Sequence, residues 1–152
     1  EMTVVIDDLA MFDSMVGTHL GYSDYKLVDQ PSVDLFADAT DDHQWIHVDP
    51  VRAAKGPFGG PIAHGYFTLS LIPALIHQVF LVEKMSMGVN YGCNKVRFPS
   101  PVLVGSRIRL GIGIAEVTTL EGGVQVVIDA TLEVEGAPKP ACVAQVVYRY
   151  YS

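Results

Sequence analysis

The sequence is short of charge, of basic charge above all, of cysteine, and of any long uninterrupted apolar run. Among its 152 residues, 10 Lys and Arg stand against 17 Asp and Glu, a net charge of −7, and only 18% of residues are charged. No basic run is present, which argues against nucleic-acid binding, and an anionic ligand would need a local basic patch. The two cysteines, Cys93 and Cys142, lie far apart with no CxxC spacing. Both read as buried, reduced thiols of a cytoplasmic protein. The first residues, Glu1-Met2-Thr3, lack the basic and apolar regions of a signal peptide. Glu1 reads as a cloning remnant and Met2 as the natural start. No apolar stretch reaches the ~20 residues that a membrane span needs. There is no GxGxxG, no P-loop, no internal repeat, no linker and no low-complexity segment.

What the chain does have is apolar residues, 49% of the total. A length of 152 residues suits one domain, 1–152, with a real core. So high an apolar share for one small globule implies that a partner subunit covers part of the surface.

Two periodicities organise the sequence. Asp7 to Val16 carries helix-like spacing through Leu9, Met11, Phe12, Met15 and Val16, stopped by Gly17. Tyr22 to Val28 reads as a strand, and Ser32 as the cap of a helix over Val33 to Ala39. Asp49-Pro50 is a helix-start pair, an acceptor followed by proline, for a short helix through Ala53. The run Gly56-Pro57-Phe58-Gly59-Gly60-Pro61 is a loop. From Gly65 to about Val82 the chain is apolar on nearly every face, which predicts a helix buried all round and bent by Pro73. Beyond it, Ile108, Leu110, Ile112 and Ile114 alternate, as do Val124, Val126, Ile128, Ala130, Leu132 and Val134 around a hairpin marked by Gly122-Gly123. A last strand covers Ala141 to Tyr151. One buried helix followed by a long meander predicts an α+β fold in which a curved antiparallel sheet wraps the helix.

The chemistry concentrates between Phe36 and Gly65. Asp42 and His47 supply a carboxylate and an imidazole, and Gly65 opens the apolar helix. Five residues apart, the first two would lie about 140° apart on a helix and on opposite faces of a strand. They converge only if a helix ends near Asp42 and an irregular link, Gln44-Trp45-Ile46, brings His47 back. His43 and His47, four apart, would suit a metal on a continuous helix, but no Glu follows His43 and a continuous helix would separate Asp42 from His47. No metal is expected. His64 reads as a loop-ordering residue, Ser70 as a hydroxyl bonded to an earlier carbonyl. Asp38 and Asp41 read as solvated, and Trp45 as packing. Lys95, Arg97, Arg107 and Arg109 form the one basic cluster.

These motifs resemble the signature of the MaoC-like, R-specific enoyl-CoA hydratases. Phe36-Ala37, the Asp42/His47 spacing, Asp49-Pro50, Phe58 and Ile62-Ala63-His64-Gly65 carry the resemblance, with a second block from Asn90 to Val102 and Gly105-Ser106. The family's asparagine-proline pair is missing between Asp42 and His47. The resemblance implies a hot-dog fold and a homodimer. It also implies hydration of a trans-2-enoyl-CoA to the R-3-hydroxyacyl-CoA, or the reverse. Asp42 would accept a proton from water, His47 would relay one to C2, and the Gly65 amide would hold the enolate oxygen. His64, Lys95 and Arg97 are candidate substrate contacts. By the same resemblance an acyl-CoA thioester would be the substrate, and no cofactor would be needed. A hot-dog acyl-CoA thioesterase and a non-catalytic acyl-CoA-binding protein are the alternatives.

Overall fold

Alternating apolar residues build the main sheet, and its inner face becomes the core. The computed structural model describes residues 2–152, so Glu1 and the reading placed on it lie outside the described residues. In chain order the elements are β1 (Val4–Ile6), a 3-10 turn (Leu9–Met15), β2 (His19–Tyr22), β3 (Lys26–Leu27), α1 (Gln30–Thr40), α2 (Trp45–Val48), α3 (Pro50–Ala54), α4 (Gly65–Ser70), α5 (Ile72–Val79), β4 (Phe80–Val82), β5 (Met87–Arg97), β6 (Arg107–Leu120), β7 (Gly123–Val134) and β8 (Cys142–Tyr151). The large sheet is antiparallel in the order β2-β6-β7-β8-β5, and β3 also pairs with β6. A separate parallel pair joins β1 to β4. Ile108, Leu110, Ile112 and Ile114 of β6 and Val124, Val126, Ile128, Ala130 and Leu132 of β7 are buried, as their alternation requires. They meet Phe67 of α4 and Ile72, Leu75, Ile76 and Val79 of α5 in one core. This is the hot-dog arrangement, helices wrapped by a curved sheet.

The central helix differs from the single long one expected. It breaks at Leu71 into α4 and α5, and it ends at Val79 rather than Val82. Pro73 cannot donate to the Leu69 carbonyl, so the ladder restarts with proline in the first turn of α5. Phe80-Leu81-Val82 pairs in register with Val4-Val5-Ile6 instead, which suits aromatic and β-branched residues. Nor is the helix buried all round. Tyr66 is 71% exposed, and Ser70, Ala74, His77 and Gln78 are exposed with it.

Other boundaries move for local reasons. The cap of α1 is Asp29, whose carboxylate accepts from the Ser32 amide at 2.9 Å. Those Ser32 hydrogen bonds hold Asp29 below the usual carboxylate value. The strand expected over Tyr22–Val28 splits into β2 and β3 because the buried Ser23 hydroxyl takes the Leu110 amide at 2.9 Å. The segment after Asp7 is a 3-10 turn capped by Asp8. Cys93 is exposed on β5, not buried; Cys142 is buried, and both are free thiols.

The β6–β7 hairpin turns through Glu121 and Gly122, the latter at φ 77°. Gly123 follows, where an added Cβ would collide with the Tyr150 carbonyl oxygen. Backbone, unlike a side-chain tip, cannot swing away. Gly123→Ala should therefore destabilise the protein by about 1–3 kcal/mol, the usual range for overpacking, read as a lower urea midpoint. An unchanged midpoint would show that the hairpin relaxes freely.

Candidate active site

α1 stops where a carboxylate is needed. Its C-cap, Asp41, sits in the left-handed region at φ 60°, and Asp42, His43 and Gln44 follow without helical structure. α2 then starts at Trp45, so Trp45 and Ile46 belong to the turn that carries His47 rather than to the irregular link. The Asp49 carboxylate caps α3 through the Arg52 amide at 3.1 Å, as the Asp-Pro pair predicts. Trp45 packs under the Arg52 guanidinium, 4.3 Å from the ring centroid.

Two histidines tie this segment to the residues that open α4. His47 is 6% exposed, and its Nδ1–H donates to the Ile62 carbonyl at 2.6 Å. His64 is 3% exposed, and its Nε2–H donates to the Asp42 carbonyl at 3.0 Å. A carbonyl only accepts, so each bond settles a tautomer. When neutral, His47 offers a lone pair at Nε2 and His64 one at Nδ1. The rings stack with centroids 3.9 Å apart and planes 24° from parallel. Gln30 supports the turn from α1, its Nε2 donating to the His47 carbonyl at 2.7 Å and to Asp34 at 2.8 Å.

The structure thus brings Asp42, His47 and His64 together: one oxygen or nitrogen from each lies within 4.8 Å of the other two. Asp42 is exposed and the histidines are buried. Gly65, next in chain to His64, opens α4, and no side chain caps that helix start. The Phe98 ring covers Gly65, so an added Cβ would stand 3.0 Å from its edge. Beside it lies an apolar pocket of about 320 Å³ lined by Phe58, Ile62, Ala63, Gly65, Thr68, Phe98 and Val102 among others. Ser70 donates to the Tyr66 carbonyl at 2.6 Å, as expected of a helix hydroxyl.

Burial holds the His47 pKa below its ordinary value; the stacked His64 adds to this, while the Ile62 carbonyl and Asp42 oppose it. His43 behaves oppositely. It turns to Asp38 at 2.8 Å, and that bond raises its pKa. Asp38 is therefore partnered rather than merely solvated, and His43 does not face His47's cluster. A cation at Asp42, His47 and His64 fits poorly. An imidazole holds a metal in its own plane at ~2.1 Å, and two nearly parallel stacked rings have no such point in common.

The basic cluster does not exist as one cluster. Arg107 and Arg109 lie on β6, paired with Glu135 and Glu133 at 3.7 and 2.8 Å. Lys95 and Arg97 lie on β5, with β7 and β8 between. Arg97 directly precedes Phe98, whose ring covers Gly65. His64 orders the loop, as its place before the helix suggested, and sequence reasoning missed Gln30. The His-Gly pair ahead of an apolar helix was the available signal for the first, and nothing local marks the second.

Comparison with known proteins follows the same residues. Residues 11–135 match the MaoC like domain. A protein named 3-hydroxyacyl-thioester dehydratase Z from Mycobacterium tuberculosis is 52% identical over 145 residues, covering 95% of this chain and 96% of that protein. A solved structure titled monoamine oxidase regulatory protein, from Archaeoglobus fulgius, superposes with TM-score 0.78 at 22% identity, covering 100% of this chain and 99% of that one. The (R)-hydratase from A. caviae involved in PHA biosynthesis superposes with TM-score 0.71 at 23% identity, covering 88% and 94%.

The His47 environment gives a signed pH prediction. A histidine held below its unfolded value of about 6.5 contributes stability in full above that pH. The contribution is lost as pH falls through 6.5 towards the folded value. Wild type should therefore lose more stability than His47→Gln between pH 7.5 and pH 5, measured by urea melts. His43 titrates in the opposite sense but is common to both proteins. Parallel losses would mean that His47 is solvated.

Proposed function

The chain belongs to the MaoC-like domain family, and from that premise we propose that it interconverts trans-2-enoyl and R-3-hydroxyacyl thioesters of coenzyme A by addition and loss of water. The observation that carries the reading is the convergence of Asp42 with His47 and His64, one polar atom of each within 4.8 Å of the others, while His47 Nδ1–H is given to Ile62. The name of the 52% identical relative, a 3-hydroxyacyl-thioester dehydratase, supports the same chemistry.

The motif reads with Asp42 as base and His47 as proton relay; we exchange the two, because a neutral His47 whose Nδ1–H is given to Ile62 presents a lone pair at Nε2 and so serves as the base in hydration. Water oxygen bonds to C3 while one water proton passes to His47 Nε2. The C2–C3 π pair moves into an enolate, and the Asp42 carboxyl delivers a proton to C2. Dehydration runs the same path backwards: Asp42 carboxylate takes the C2 proton and His47 imidazolium protonates the leaving hydroxyl. The pair shares one proton throughout, and transfer from His47 back to Asp42 closes the hydration cycle. The Gly65 amide, at an uncapped helix start, would hold the enolate oxygen. The apolar pocket beside Gly65 suits the acyl or pantetheine portion. The reaction needs no cofactor. The working unit is a homodimer of one-domain chains in the cytoplasm, where free thiols at Cys93 and Cys142 stay reduced.

Asp42→Asn and His47→Gln should each lower turnover of a trans-2-enoyl-CoA by at least ~10²-fold, followed by loss of enoyl absorbance, with product chirality determined. Normal rates from either folded variant would remove the assignment. Release of free thiol from acyl-CoA without enoyl consumption would point to a thioesterase. Light scattering should show at least a dimer at micromolar concentration, and a stable monomer would overturn that part of the reading.

A further inference from the structure

His64 is the group at this site that the proposed mechanism does not use. It is 3% exposed, and its Nε2–H is committed to the Asp42 carbonyl. Its Nδ1 is buried without a hydrogen-bond partner. A buried acceptor left unpaired is costly, and such atoms are rare enough to need a reason. Its residue belongs to the Asp42–His47–His64 group, in which one polar atom of each side chain lies within 4.8 Å of the others. Two hydrogen bonds of ~2.8 Å from one water reach acceptors roughly 4.5 Å apart, so the spacing fits a shared water.

Proton counting assigns the parts. With both histidines neutral, His47 Nε2, His64 Nδ1 and an Asp42 carboxylate would be three acceptors facing a water with two hydrogens. The arrangement balances if Asp42 carries the proton destined for C2, leaving two acceptors for two hydrogens. We propose that His64 Nδ1 is a further contact of the reacting oxygen: it accepts the hydrogen that the attacking water keeps, while His47 Nε2 takes the hydrogen that the water loses. The kept hydrogen becomes the 3-hydroxyl proton of the product and stays on His64 Nδ1. No extra proton is consumed. His64 orients the water so that a lone pair faces C3, and it distinguishes a hydroxyl, which has a hydrogen to donate, from an ether or a ketone at C3.

This inference rests on the hydratase reading, and the test separates the two. Gln in place of His64 keeps an N–H that can reach the Asp42 carbonyl but removes the ring acceptor at Nδ1. His64→Gln should melt like wild type, keep KM for a short trans-2-enoyl-CoA within about threefold, and lose at least ~10-fold in kcat, the lower side of the usual effect of a positioned proton partner. A role confined to anchoring Asp42 would instead leave kcat intact in this variant. Wild-type kcat for His64→Gln, with Asp42→Asn and His47→Gln inactive, would overturn the His64 role and leave the hydratase reading standing. Normal rates in all three would overturn both. Should His64→Gln not fold, R-3-hydroxyacyl-CoA bound to Asp42→Asn provides the second measurement. Its 3-hydroxyl oxygen is expected within hydrogen-bond distance of His64 Nδ1, and an oxygen beyond that reach would overturn the proposal.

Discussion

Two histidine-to-carbonyl bonds, running in opposite directions between the same two segments, hold the site together. His47 donates to Ile62 and His64 donates to Asp42. The Ile62 amide adds a third tie, to the Ile46 carbonyl at 2.9 Å. The turn that bears the carboxylate and the loop that opens α4 are thereby one unit. A side chain that anchors through one ring nitrogen must present the other. Each histidine therefore performs a structural task and, by the same bond, acquires a defined lone pair directed elsewhere. Lysine could make one of the bonds but has no acceptor to leave behind.

That unit is fastened to the connection between β5 and β6. Ala63 donates to the Val102 carbonyl at 2.8 Å and Val104 to Pro61 at 2.9 Å, and Ile62 and Leu103 form a β-bridge. Gly105 and Ser106 exchange backbone bonds with Val28, just ahead of α1. From α1, Gln30 reaches back to the His47 carbonyl. The connections close a loop: the β5–β6 connection to residues 61–63, those to His47, His47 to α1, and the residue ahead of α1 back to the β5–β6 connection. Displacement of any one member strains the others, which is how a site on short irregular segments is kept near a working geometry.

How much of this could be read from the residues depends on the range of the interaction involved. The meander and its inner face were legible because a period of two is a local signal and the core merely enforces it. The Asp49-Pro50 start and the break at Pro73 were legible because proline acts through its own missing N–H. The cap of α1 was assigned to Ser32 when the nearby Asp29, a stronger acceptor three residues earlier, takes it. The end of α5 was missed because Phe80-Leu81-Val82 is apolar in either state, and only pairing with β1, about 75 residues away, decides for strand. The basic cluster failed for the same reason in reverse: residues close in sequence were separated by two intervening strands. The convergence of Asp42 with His47 was expected from the family resemblance, and geometry added only the condition that a helix end near Asp42. The partner of each histidine was not expected, because a backbone carbonyl carries no sequence signature.

The cost of the arrangement falls where the chemistry is. Among the described residues, the buried side-chain polar atoms without a partner are Gln30 Oε1 and His64 Nδ1. Both belong to side chains bonded to a carbonyl within the Asp42–His47 segment. Each such atom typically costs about 1–3 kcal/mol. An apolar residue at either position would remove that cost but leave the His47 or Asp42 carbonyl without its partner. Packing gives no reason to keep imidazole at 64, since its ring lies against His47 and Phe36, contacts that an aromatic hydrocarbon could make. The nitrogen that lacks a partner within the chain is best understood as one whose partner arrives with the substrate. Stability is spent there because the oxygen that reacts must be held from a direction fixed before it binds.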